Sequence, residues 1–114
     1  MLTTLLAAAL ALQPAAEPGP ITQEQRALLR CAAAFALVSN GQASGDEGAR
    51  QWPELGTRGR EFFVRAMAQL MDQTGLDRAG IAALAQTEAK SLQDKDETDR
   101  LMPACLLMLD ASGI

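Results

Sequence analysis

Two cysteines, Cys31 and Cys105, stand behind an uncharged opening run, Met1-Leu2-Thr3-Thr4-Leu5-Leu6-Ala7-Ala8-Ala9-Leu10-Ala11-Leu12, and this combination constrains the fold most. The run is too short to cross a hydrocarbon core, which takes about 20 apolar residues. It has the length of an export signal, and Ala9-Leu10-Ala11 and Pro14-Ala15-Ala16 offer small-x-small exits. Its departure from the usual signal is the lack of Lys or Arg at the start; the alternative is an apolar tail or a helix docked on the domain. Export places the chain in an oxidising compartment, periplasmic or secreted, where two thiols pair. A Cys31–Cys105 bond closes a loop of about 75 residues and removes about 4.5 kcal/mol of unfolded-chain freedom in the entropic treatment. In a reducing cytosol the same residues would instead be two small buried hydrophobes.

We divide the chain into a signal peptide over residues 1–16, a Pro-rich linker over 17–21 and one helical domain over 22–114. Pro14, Pro18 and Pro20 favour extended backbone in the connection. The domain is rich in Ala, Leu, Gln, Glu, Met and Arg, residues that lose little on entering a helix, and its aromatics are only Phe35, Phe62, Phe63 and Trp52. The expected fold is therefore all-α, a compact bundle of about four helices with the first and last tied by the disulfide.

Local signals place the elements. Thr22 and Gln25 make a capping box, and Leu28, Cys31/Ala32, Phe35 and Val38 form an apolar stripe that Asn40-Gly41 should end. Asp46 to Trp52 offers one helical turn before Pro53. A second long helix runs from near Thr57 to Thr74, with Gly75 as its cap and Phe63, Ala66/Met67 and Leu70/Met71 as its buried side. A third starts after Asp77, runs to about Gln93, and buries Ile81, Leu84/Ala85, Ala89 and Leu92. Asp94 to Arg100 reads as a solvated link. The last helix spans Leu101 to Asp110, with Pro103 in its first turn. Apolar on every side, this helix is expected in the middle of the bundle.

Charge and composition narrow the function. A formal charge of −4 opposes nucleic-acid binding and docking to an anionic membrane, and no stable membrane span is expected after processing. The chain has no histidine, so it lacks the commonest general base and metal ligand. Two cysteines without histidine do not make a four-ligand zinc site, and no Cys-x-x-Cys is present. No carboxylate pair or activated serine stands out. We read the protein as not an enzyme, with no metal and no cofactor.

Three features remain as candidates. Arg58 and Arg60 at the start of the second long helix oppose its dipole, which makes them a candidate anion-binding pair; pairing with Glu54 and Glu61 is the plainer reading. Met67, Met71, Met102 and Met108 either plug the core or line an adaptable apolar surface. Trp52-Pro53 is a candidate interaction anchor, the alternative being a lid folded over the bundle.

The runs Leu5-Leu6-Ala7-Ala8-Ala9-Leu10-Ala11-Leu12, Arg30-Cys31-Ala32-Ala33-Ala34-Phe35-Ala36-Leu37, Arg60-Glu61-Phe62-Phe63 and Met102-Pro103-Ala104-Cys105 give the chain its resemblance to small exported two-cysteine helical proteins of alphaproteobacteria, which have no assigned activity. The resemblance implies location and a disulfide role for the cysteines. A looser similarity, resting on the two cysteines alone, is to periplasmic acid-stress chaperones. The function expected is a non-catalytic cell-envelope role in protein interaction or chaperone-like protection, with another envelope protein as partner. A binder of a small anionic or lipid-like ligand is the alternative, and an unrecognised enzyme the second alternative.

Overall fold

The computed structural model describes residues 21–114; the expected signal peptide and all of the linker but Ile21 lie outside the described residues. The domain is all-α, with helices α1 (Gln23–Ser44), α2 (Glu47–Arg50), α3 (Arg58–Thr74), α4 (Arg78–Asp94) and α5 (Thr98–Ala111). The first and last are joined by Cys31–Cys105, whose α-carbons lie 5.2 Å apart. Among the described residues no helix is long and apolar enough to cross a membrane.

Three start and stop signals act as the local chemistry dictates. The Thr22 hydroxyl accepts from the Gln25 N–H at 3.1 Å while the Gln25 side chain accepts from the Thr22 N–H at 3.0 Å, closing the capping box. Asp77 caps α4 by accepting from the Gly80 N–H at 2.8 Å. Gly75, at φ 75°, ends α3.

The end of α1 differs from the sequence expectation. Asn40-Gly41 lies within the helix, which closes one turn later on Gly45 at φ 85°. The Asp46 N–H reaches the Gly41 carbonyl at 2.9 Å and the Gly45 N–H reaches Gln42 at 3.4 Å, a Schellman arrangement. Gly41 has another task. A Cβ there would stand 2.7 Å from the Ala49 Cβ, so the missing side chain lets α2 lie directly on α1.

The centre of the bundle is α1, not α5. Ala32, Ala33, Ala34 and Phe35 are all buried, and α2, α3, α4 and α5 each pack on α1. Small side chains permit close approach from every side, which the larger residues of α5 do not. On α5, Met102, Cys105 and Leu109 face inward while Leu107 is 71% exposed, so its apolar belt is only half used. This helix also begins three residues earlier than expected and carries Pro103 in its interior. Pro103 is exposed, and the Asp99 carbonyl it cannot serve belongs to an exposed residue open to water.

The expected buried side of α3 holds at Ala66 and Leu70 and differs at the aromatic position, where Phe62 rather than Phe63 is buried. Phe62, Ala66 and Leu70 are buried, with Phe62 edge-on to Phe35 at 5.0 Å, whereas Phe63, Met67 and Met71 are only half-buried. Both triplets repeat every four positions, and α1 covers just one of them.

Candidate functional site

The second stripe of α3 forms one wall of an apolar groove. Phe63, Met67 and Met71 face Ile81, Ala85 and Ala89 of α4, and Ala33 and Ala36 of α1 form the floor. The trough is open along one side and encloses about 510 Å³. Its origin is packing: α3 and α4 both rest on α1, and they meet each other at its base, where Leu70 packs with Ile81 and Ala85. Small alanines on the floor and the α4 wall leave the depth. The lining carries no carboxylate and a single cation, Arg78. Val64, at the rim, is 59% exposed.

Past Phe63 the groove continues into a recess of about 290 Å³ lined by Ser39, Asn40, Gly56, Gly59 and Arg60. A Cβ on Gly59 would lie 3.1 Å from the Leu55 Cβ and 3.4 Å from the Phe35 Cβ, so glycine lets the start of α3 press against α1 here.

The candidate residues separate. Arg58 is held within the fold: its Nη2 donates to Asp110 at 3.0 Å, and its Nε and Nη2 donate to the Ile114 carbonyl at 3.1 and 3.0 Å. It ties the start of α3 to the end of the chain, with partners other than the expected Glu54 and Glu61. Arg60 forms no ion pair among the described residues, and Arg58 and Arg60 do not converge on one pocket. Glu61 instead pairs with Arg65 at 2.7 Å. The methionines also divide: Met67 and Met71 line the groove, Met102 is fully buried, and Met108 borders a separate recess with Leu28.

Trp52 is a lid rather than an exposed anchor. Its ring packs on the core, and Nε1 donates to Asp99 at 3.2 Å. The link before α5 is solvated as expected, with Asp94, Lys95, Asp96, Asp99 and Arg100 exposed, although Asp99 accepts from Trp52 and Glu97 pairs with Arg30.

Sequence reasoning missed two residues that organise the fold. Gln42 sits at the root of the irregular 45–57 segment. Its Nε2 hydrogens are shared among the carbonyls of Ala49 (3.1 Å), Trp52 (3.2 Å) and Pro53 (2.9 Å), and its Oε1 accepts from the Leu55 N–H at 3.0 Å. Glu88 is buried on α4, with Arg30 Nε at 3.0 Å and Arg26 at 3.7 Å. The Arg30–Glu88 contact is ionic without hydrogen-bond alignment at Nε. Neither residue carries a local signal, because a helical glutamine or glutamate reads as solvent-facing. Among the described residues no cluster of three metal-ligating side chains forms. Comparison with family models, characterised proteins and solved structures finds no match for this chain.

Proposed function

We propose that the chain is an exported, non-catalytic protein of the bacterial cell envelope that binds or shelters an apolar segment of another protein in the α3–α4 groove. The observation carrying this reading is the groove itself: an unfilled, carboxylate-free apolar trough on a net-negative protein, walled in part by adaptable methionines. The disulfide supports an oxidising compartment, and the uncharged opening run supports export. The volume of about 510 Å³ also falls in the range of small-molecule sites, which favours a lipid-like ligand as the second reading.

Photocrosslinking in producing cells tests the proposal. A photoreactive residue replacing Ala68, at the groove, should give a discrete protein adduct that the same residue replacing Ala104, on the outer side of α5, does not. Ala82→Trp, which fills the trough from an exposed position, should remove that adduct. Equal yields from both sites, or adducts only with cytosolic proteins, would refute the groove role or the envelope location respectively.

A further inference from the structure

The charges around the groove specify its occupant more closely, on the premise that the groove binds a protein segment. Arg78 lines one end of the trough beside the α3–α4 turn, and Arg60 lines the recess continuing the other end. Neither forms an ion pair among the described residues, although acidic residues lie close in sequence. Of the nearby acids, Asp77 accepts from the Gly80 N–H and Glu61 is paired with Arg65, while Glu54 is unpaired among the described residues and has Oε1 3.3 Å from where a Cβ on Gly56 would stand. No carboxylate lines the trough or the recess. A protein with net charge −4 thus presents, along this one face, an apolar strip with a cation at each end. From Arg60 to the α3 end at Thr74 is fourteen helical positions, so the strip is about 20 Å long.

We infer that the groove takes an amphipathic helix of about four turns, with an apolar stripe flanked by an acidic residue near each end. An extended peptide is disfavoured because the described residues contain no strand edge to pair with its backbone, whereas a helix satisfies its own hydrogen bonds. A single acyl chain has one charged head and would leave one arginine without a partner. Alanines on the floor allow the incoming helix to seat closely, and Met67 and Met71 adapt to its side chains. The acidic balance of the whole protein repels an acidic helix elsewhere, so the two arginines select where it lands.

The test uses the full chain and three synthetic helical peptides of sixteen residues. They share one Leu/Ala stripe and carry Glu, Gln or Lys at both ends of it. Fluorescence anisotropy at low salt should show the Glu peptide binding about five- to tenfold tighter than the Gln peptide, as two partly exposed ion pairs allow. The Lys peptide should be weaker than Gln by a similar factor. Arg60→Glu/Arg78→Glu should reverse the order, and both positions are exposed, so unchanged circular dichroism is expected. Ala82→Trp should weaken all three peptides. Equal binding of the three peptides, with Ala82→Trp still weakening them, would sink the charge inference and leave the groove reading standing. No peptide binding, with palmitate binding instead, would overturn both in favour of a lipid-like ligand. An uncharged peptide of residues 1–12 that binds as tightly as the Glu peptide would overturn the inference by naming a segment of this chain as occupant. Dimerisation abolished by Ala82→Trp would overturn it in favour of a second copy.

Discussion

Replacing both cysteines by alanine is the most informative perturbation of this fold. The bond spans a sequence separation of 74, and closing a loop of that size removes about 15 cal/mol/K of unfolded-state entropy, about 4.5 kcal/mol at room temperature. A domain of this size has about 5–14 kcal/mol of total stability, so the change takes away a third or more of it. With melting shifts of about 4–8 °C per kcal/mol for small domains, Cys31→Ala/Cys105→Ala should melt on the order of 20–30 °C below wild type. Both sulfurs are buried in α1 and α5, so alanine leaves a small cavity that adds to the loss rather than offsetting it. Circular dichroism melts of the variant, and of wild type with and without reductant, measure this directly. Because Cys31 and Cys105 are only 5% and 1% exposed, reductant should act slowly on the native protein and quickly near its midpoint. A variant melting within about 5 °C of wild type would refute the reasoning. The packing of α5 on α1 would then hold without its covalent link.

Other outcomes follow from named contacts. Gly41→Ala should destabilise by about 1–2 kcal/mol despite alanine's better helix propensity, because its Cβ collides with Ala49; urea titration should show Gly41→Ala/Ala49→Gly recovering much of the loss. Gln42→Ala should cost about 2–3 kcal/mol by orphaning the Leu55 N–H and the carbonyls it serves, and hydrogen exchange should rise first in residues 46–57. Arg30→Met leaves Glu88 with only the longer Arg26 contact and should cost about 1–2 kcal/mol, read by chemical denaturation. Arg58→Ala, which breaks exposed contacts, should change stability by under about 1 kcal/mol and leave phosphate binding negligible, measured by calorimetry.

Much of the fold was legible because its signals are local. The Thr22/Gln25 box, the Asp77 cap and the Gly75 stop each depend on residues within a turn of one another, so spacing alone reveals them. The errors share a different cause. Gly41 and Gly45 are equivalent as caps, and the closeness of Ala49 decides between them. Phe62 and Phe63 are chemically identical; α1 chooses which one is buried. The start of α5 is accompanied by two contacts, Trp52 to Asp99 and Arg30 to Glu97, that span 47 and 67 residues. At the site, sequence reasoning named Met67 and Met71 as one alternative of two. It had no means to see that a groove would open between α3 and α4, or that Arg60 would line a recess that Arg58 does not reach.

The amino-acid order by itself determined the helical class, most helix ends and the cysteine pair available for bonding, because propensity, capping and thiol supply act at short range. The tertiary structure decided that the alanine-rich helix, not the apolar last one, stands at the centre. It also decided that one of two equivalent apolar stripes on α3 would stay only half-buried. Side-chain volume is the physical reason: small residues let four helices crowd around α1, and the same smallness leaves an opening between two of them.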